Sequence, residues 1–392
     1  MLGQQDPRVS VIIPTYNRSR YLSEAIQSVL TQTYGDFEIV IVDDGSTDDT
    51  ASVVQVIDDP RLRYIHQPNA GHSVARNRGL AAARGELIAF LDDDDRSLPE
   101  KLAQQVAFLR GHPTVDVVAG GRLIVDQVGM LLQRSPSWLR QPDLTLHACL
   151  YACPLLLCAV LIRREMLQRL PSWFDPTMSF AEDTDFFIRL LQAGCRCAWQ
   201  QEYVYVYRLH TDNYCRDAET SRRCFFRMLD KVFADPRLAS DIRQKRANLY
   251  ARYRLWAACQ HYANREWADA QNQLMHAVDR DPGFLEGTPP FLIEYVAGRA
   301  TGFRIQDPAG YVRRFFEHLP DSLAHLREYR KEALSILHMK RVFAAHGAGE
   351  TPALEHWLLG TFYSPRWLRN RGVWSILARD IIGLPWVTGQ SL

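Results

Sequence analysis

The sequence predicts an α/β fold, a mostly parallel sheet covered by helices, followed by an α-helical C-terminal region. Three observations carry this. Short β-branched runs alternate with stretches of helical spacing over roughly the first 100 residues, as in strands joined by crossover helices. Polar clusters (Thr15-Tyr16-Asn17, Asp43-Asp44 and Asp92 to Asp95) directly follow strands, where such sheets receive ligands. From about residue 216 the strand pattern gives way to long helical stretches rich in aromatics.

The elements follow in order. Val9 to Ile13 is a β-branched run that stops at Pro14, and Leu22, Ile26, Val29 and Leu30 then recur at helical spacing. Phe37 to Val42 is a second strand ending in Asp43-Asp44-Gly45-Ser46, and Thr50 to Ile57 is a helix. Leu62 to Ile65 is a third strand, Val74 to Ala83 a helix stopped at Gly85, and Leu87 to Leu91 a fourth strand. Ser97-x-x-Glu100, with Pro99 in the first turn, fits a capping box ahead of Leu102, Val106 and Leu109. Ala148 to Ile162 is the most apolar stretch. It contains Pro154 and falls short of the roughly 20 residues of a membrane-spanning helix, so a buried strand or helix is expected. Tyr203 to Tyr207 alternates like a strand.

The expected domains are 1–214 and 215–392, with a further break at 285–310 around Pro289-Pro290. The segment through Ala270, Leu274, Ala277 and Asp281-Pro282 resembles the second helix of a tetratricopeptide unit. No second copy follows, so one helical hairpin is expected; an ordinary amphipathic hairpin gives the same pattern.

Forty-six Lys+Arg against 45 Asp+Glu leave a net charge of +1, which argues against a nucleic-acid backbone as partner. Met1 to Pro7 shows neither the basic nor the apolar part of a secretory signal, so a cytoplasmic location with reduced cysteines is expected. Cys195-x-Cys197 and the other cysteines lack the paired CxxC spacing of a zinc site.

The turn after the first strand, Pro14-Thr15-Tyr16-Asn17-Arg18, has no glycine, and no GxxxxGK[ST] occurs, so no backbone cradle for phosphate is present. Asp92-Asp93-Asp94-Asp95 offers another route. Four adjoining carboxylates after an apolar strand are tolerable when a hard cation neutralises them, and such an ion can bridge a diphosphate. Asp95 also reads as a cap for the next helix. Asp43-Asp44-Gly45-Ser46 reads as a tight turn with side-chain capping, in which Asp43 and Asp48 serve.

Val9 to Arg18, Val42 to Asp48, Asn69-x-Gly71-x-Ser73-x-Ala75-Arg76-Asn77-x-Gly79 and Leu91 to Asp95 together resemble the motifs of family 2 glycosyltransferases with the GT-A fold, in family order. The resemblance implies an inverting transfer of sugar from a nucleotide-diphospho-sugar to a hydroxyl acceptor (glycan, lipid-linked glycan or protein), assisted by Mn²⁺ or Mg²⁺. Carried over by position, Pro14, Thr15 and Tyr16 line the base pocket and Asp44 binds base or ribose. Arg76 reaches phosphate or base, or else lies on a solvated helix face. Asp92 and Asp94 form the D-x-D pair, with Asp94 the first metal ligand and Asp93 near the sugar or ribose. Phe180 to Phe187 resembles the segment whose Asp is the catalytic base, here Asp183. Ser179-x-x-Glu182 fits a capping box, which makes Glu182 structural or acceptor-side, and Asp183 then sits in a first turn where the helix dipole lowers its pKa unless burial raises it. Tyr207 to Asn213 resembles the end of the core, where His210 joins the metal or diphosphate.

A sugar-phosphate nucleotidyltransferase is the first alternative, though Pro14 to Asn17 lacks its glycine-rich loop. A non-catalytic carbohydrate- or partner-binding protein on a decayed core is the second. The tail from Arg366 to Trp386 mixes arginines with Trp, Ile and Leu. It suits peripheral contact with an anionic membrane at its inner face, or packing on the helical region, which Gly372, Gly383 and Pro385 favour.

Overall fold

The computed structural model describes residues 7–210, 217–302, 305–347 and 351–381. Two compact units emerge, one of Met1–Cys215 with Arg223–Gln244 and one of Arg216–Arg222 with Lys245–Leu392. In the first, β1 (Val9–Thr15), β2 (Phe37–Asp43), β3 (Leu62–His66) and β4 (Leu87–Phe90) pair in parallel in the order β3-β2-β1-β4. Helices α1 (Ser19–Leu30), α2 (Thr50–Gln55) and α3 (His72–Ala82) make the crossovers. Every residue of β1 and β2 is buried, so these strands read as continuous apolar runs rather than alternations.

Beyond β4 the chain forms β5 (Arg96–Ser97), α4 (Lys101–Gly111), β6 (Val117–Val125) and β7 (Leu131–Ser135). The short helices α5 (Ser137–Arg140) and α6 (Leu146–Tyr151) precede β8 (Val160–Arg163) and α7 (Arg164–Leu167). Helix α8 (Glu182–Gln192) and β9 (Cys197–Arg208) follow. The whole order is β3-β2-β1-β4-β8-β6-β9-β5, with β7 beside β6. Strand β8 runs antiparallel to β4 and β6, whereas β9 is parallel to β6 and antiparallel to β5. The sheet is therefore parallel in its first half and mixed beyond. The carboxyl ends of β1, β2 and β4 carry Thr15, Asp43-Asp44 and Asp92 to Asp95.

Four local expectations are corrected. Ser97 does not cap a helix: it pairs with Tyr205 across β5 and β9, and α4 starts only at Lys101 without a side-chain cap. Asp95 does not cap α4 either; its Oδ1 accepts the Arg208 N–H at 2.9 Å. Ala148 to Ile162 is no single element, because Pro154 cannot continue α6 and the chain turns through a 3₁₀ segment, Leu157–Ala159, into β8. At α8 the cap position is held by Ala181 in the left-handed region (φ 56°), without a side-chain cap, so Ser179 and Glu182 form no capping box.

The remaining chain is helical: α9 (Ala218–Ala234), α10 (Ser240–Gln244), α11 (Arg246–Asn264), α12 (Trp267–Arg280), α13 (Phe291–Ala300), α14 (Pro308–Glu317), α15 (Arg330–Gly347), α16 (Leu354–Tyr363) and α17 (Arg371–Ile376). Helices α11 and α12 pack as a hairpin, with Ala270, Leu274 and Ala277 fully buried in one core with Leu255, Ala258 and Tyr262. A second cluster joins Met339, Val342, Trp357, Val373 and Ile376, and Trp367 Nε1 donates to Ser335 Oγ at 2.9 Å. Part of the tail is thus packing. Thr211 to Asn213, and Ile382, Leu384 and Trp386, lie outside the described residues. No described helix is long and apolar enough to cross a membrane.

Gly85 sets how closely the turn before β4 approaches β1. A Cβ there would lie 2.5 Å from Ser10 N and 2.8 Å from Val9 C, both backbone atoms that cannot yield. Gly85→Ala should therefore cost about 1–3 kcal/mol in urea unfolding, the range for forced overpacking. Gly111→Ala, whose Cβ meets nothing within 4 Å, is the control and should be neutral or slightly stabilising.

Candidate active site

The site is built on the acidic turn after β4. Asp93, Asp94 and Asp95 are all buried, at 8%, 8% and 2% exposure, so their charges are poorly screened. Burial pushes the Asp93 carboxyl up to about 7, with the Asp94 charge adding to it. Burial, then Asp94 and Asp92, hold Asp95 well above the ordinary carboxylate range. Positive charge comes from far along the chain. Arg18, just before α1, ion-pairs Asp94 through Nη1 and approaches Asp93 at 4.0 Å. The same Nη1 lies 3.2 Å from His210 Nε2, which is 3.0 Å from Asp94 Oδ2. His210 stacks on Tyr21 with ring centroids 5.1 Å apart. Arg208 donates from Nε to the Asp94 carbonyl at 3.2 Å and pairs with Glu24 at 2.5 Å.

Asp94 and His210 therefore converge, as the resemblance implies, whereas Asp92 is held by Arg76. Asp94 Oδ2 and His210 Nε2, both contacted by Arg18 Nη1, make with the neighbouring carboxylates a donor set suited to Mn²⁺, or through the carboxylates to Mg²⁺. The divalent ion fits the residues present. Asp92, Asp95 and Cys158 also bring one ligand atom each within 4.8 Å of one another. All three are already engaged: Asp92 pairs with Arg76, Asp95 accepts Arg208 N–H, and Cys158 Sγ accepts Asp92 N–H at 3.3 Å.

Arg76 does not lie on a solvated helix face. It is buried on α3 and bridges two elements, donating from Nη2 to Asp92 Oδ1 at 3.0 Å and from Nη1 to Glu182 Oε1 at 2.6 Å. Burial alone would raise Asp92; the Arg76 charge more than offsets it and leaves that carboxyl low. Three acids occupy the first turn of α8. Glu182 has Arg76, and the fully buried Asp185 has Arg189 at 2.8 Å and Lys231 at 2.9 Å. Asp183 has no ion-pair partner among the described residues; its Oδ1 accepts Thr184 N–H at 2.6 Å and the Thr184 hydroxyl at 3.3 Å. Burial, followed by the Glu182 charge, pushes Asp183 up to about 6, against the pull of the helix dipole. The residue is only half-buried, so its carboxyl can be reached.

The turns after β1 and β2 are stitched together. Thr47 N–H donates to Asn17 Oδ1 at 2.8 Å, and Asn17 N–H to Ser46 Oγ at 2.9 Å. Asp43 serves the turn, accepting Ser46 N–H at 2.8 Å, and Asp48 accepts Ser19 N–H at 3.0 Å. Asp44 is buried and accepts from Gln67 Nε2 at 2.7 Å, Ala70 N at 3.0 Å and Gly71 N at 2.7 Å, fixing the loop into α3. Gly45 (φ +83°) permits this, since a Cβ would lie 2.7 Å from Asn69 N. Pro14 and Thr15 are buried at the end of β1, and the Tyr16 ring beyond them is 43% exposed.

Residues 10–169 match the sequence pattern of Glycosyl transferase family 2. The putative glycosyltransferase EpsE of Bacillus subtilis is 31% identical over 219 residues, 55% of this chain and 77% of that protein. The chain belongs to glycosyltransferase family 2. It spans between 15% and 61% of the length of the first curated relatives it matches. The fold of this family 2 chain is also that of S. aureus TarS 1-349 in complex with UDP-GlcNAc (TM-score 0.52, 18% identity, 88% of this chain and 93% of that one). A mannosyltransferase from Pyrobaculum calidifontis in complex with GDP-Man and Mn²⁺ aligns at TM-score 0.51 and 20% identity, over 85% and 88% of the chains.

Sequence reasoning missed Arg18, Arg208 and Glu24 in this family 2 site. Arg18 closes the first motif, and a cation at a strand end facing four acids was the available signal. Arg76→Met should cost about 3 kcal/mol in urea unfolding, the low end for opening a buried ion pair, because the Asp92 side chain is 40% exposed. Adding Glu182→Gln should return part of that loss.

Proposed function

We propose that the first unit is an inverting glycosyltransferase that moves a sugar from a nucleotide-diphospho-sugar to an acceptor hydroxyl, with Asp183 as general base. The observation that carries this is the uncompensated, half-buried carboxyl of Asp183, high for an aspartate and linked through Glu182 and Arg76 to the acidic turn. With Oδ1 engaged by Thr184, Oδ2 is the oxygen that takes the acceptor proton as the nucleotide leaves from the opposite face. Asp94, His210 and Asp92 would hold a divalent ion, whose charge would stabilise a leaving diphosphate. Arg18 offers guanidinium N–H groups to phosphate oxygens at the same point. The exposed ring of Tyr16 gives the base a face to stack on, over Pro14 and Thr15, while Asp44 accepts from the base or ribose and Asp93 from sugar or ribose hydroxyls. Domain 1–214 thus holds the catalytic apparatus. A manganese-bound neighbour of the same fold supports the metal.

Asp183→Asn keeps the shape and loses the base, so transfer should fall roughly 10²–10⁴-fold with nucleotide-diphosphate affinity unchanged. With the wild-type carboxyl near 6, its basic form is lost as pH falls, so kcat/KM should drop about tenfold per unit below pH 6 and level off above it. Transfer that survives in Asp183→Asn overturns the base assignment. EDTA should abolish donor hydrolysis and Mn²⁺ or Mg²⁺ restore it, while Asp94→Ala stays at background; equal background turnover in both proteins favours the non-catalytic reading.

A membrane-facing surface fits a lipid-linked acceptor. On α16, Leu354, Leu358 and Phe362 recur every four residues and are 47%, 53% and 77% exposed, and Leu368, Trp374, Arg369 and Arg371 are exposed beyond it. Apolar side chains flanked by arginines suit an anionic bilayer at the inner face of the membrane. The protein should float with anionic liposomes at low salt, and Leu358→Glu/Phe362→Glu should stay in the soluble fraction. Identical partitioning of the two overturns this contact.

A further inference from the structure

The first turn of α8 carries the proposed base, yet it does not hold itself in place. Ala181 enters it in the left-handed region (φ 56°) with no side-chain cap, a conformation that persists only where surrounding contacts over-determine it. Those contacts come from three helices. From α3, Asn77 clasps Phe174 both ways, donating from Nδ2 to its carbonyl and accepting its N–H at Oδ1, each at 2.9 Å. The Phe174 ring in turn stacks on Phe186 of α8 with centroids 4.5 Å apart. From within α8, Arg189 donates to the Ser172 carbonyl at 2.6 Å and to the Trp173 carbonyl. From α9, Lys231 Nζ reaches Asp175 Oδ2 at 2.7 Å, Asp185 Oδ1 at 2.9 Å and Met178 Sδ at 3.5 Å. Phe225, also on α9, meets Phe180 edge-on at 5.6 Å. These α9 residues belong to the first unit, which takes in Arg223–Gln244.

We propose that Lys231 is a positioning residue for the base: by bridging Asp185 in the first turn of α8 to Asp175 in the segment that enters it, it fixes where Asp183 stands. Neutralising charge does not account for this lysine. Asp185 already pairs with Arg189 at 2.8 Å, and Asp175 with Arg227 at 3.3 Å. What Lys231 adds is one cation shared by two carboxylates on either side of the left-handed residue, Asp175 six positions before Ala181 and Asp185 four after it. Asp183 lies in the same turn and makes no ion pair among the described residues, so its place is set by the backbone that Lys231 pins. A misplacement of about 1 Å at a reacting group can cost roughly 10²-fold in rate. The geometry of the base then depends on a helix beyond residue 214. This inference rests on Asp183 as the base; the anchoring of the turn does not.

The test uses the full chain as wild type, Lys231→Met and Lys231→Arg. Hydrolysis of UDP-GlcNAc and of GDP-mannose with Mn²⁺ reads the base against water, and amide hydrogen exchange by mass spectrometry reads the turn without any turnover. In Lys231→Met, exchange across residues 175–187 should quicken about tenfold while peptides of β1 and β4 stay protected. Over the same change kcat should fall about 10–100-fold with the donor KM unchanged. Lys231→Arg, whose guanidinium can still span both carboxylates, should recover most of each loss. A bridge that only held the fold together would instead speed exchange throughout the first unit and lower kcat in step with the folded fraction. Unchanged exchange across 175–187, exchange that rises throughout the unit, or a kcat that holds while the turn loosens overturns the assignment. Turnover that survives in Asp183→Asn overturns the base reading alone, and the exchange measurement then decides whether Lys231 anchors the turn.

Discussion

Unit charges about 4 Å apart repel by about 4 kcal/mol at an effective dielectric near 20, so four consecutive carboxylates at the mouth of a sheet need compensation. The first unit answers that repulsion residue by residue. Asp92 is paired by Arg76 from α3, while Asp94 meets Arg18 from the turn before α1 and His210 from beyond β9. Asp95 is buried and takes the backbone N–H of Arg208, and Asp93 is left with a carboxyl near 7. Each solution draws in a segment remote in sequence, so the acidic turn organises the elements around it as much as it awaits a ligand. The charge it still lacks is what a divalent ion would bring.

The same economy of charge reaches α8. Arg76 spends one nitrogen on Asp92 and the other on Glu182, so the arginine that quiets the acidic turn also quiets the first acid of the helix. Lys231 and Arg189 do the same for Asp185. The acid between them is left unpaired.

Much of this half was legible. Strands β1, β2 and β4 are buried throughout, so their sequences are mostly apolar runs bounded by Pro14, Asp43-Asp44 and Gly85, and the acidic and polar clusters fall at their carboxyl ends; β3, at the sheet edge, is only partly buried. The returning strands were not legible. In β6 the Gly120-Gly121 pair interrupts the apolar pattern, and β8 is four residues inside a longer apolar stretch. Both capping boxes failed for a shared reason, because tertiary contacts outbid the local signal: Ser97 was taken by a strand pairing and Glu182 by Arg76. Arg18 with Asp94, and Arg76 with Glu182, are 76 and 106 residues apart, beyond what periodicity or spacing can encode. In the helical half, spacing predicted helices and the buried stripe Ala270, Leu274 and Ala277, but not which helices share a core.

Asp183 resolves a conflict that the sequence could only state. A carboxylate in the first turn of a helix is stabilised as the anion by the dipole and the free N–H groups there, which makes it a poor proton acceptor. Two features reverse this. The helix opens from Ala181 in a left-handed conformation without a side-chain cap, and burial with the adjacent Glu182 charge outweighs the dipole. With Glu182 paired to Arg76 and Asp185 to Arg189 and Lys231, Asp183 is the acid of this turn that has no ion-pair partner among the described residues. The arginine thus ties the first turn of α8 to the acidic turn, and the two share one electrostatic network rather than standing as two sites.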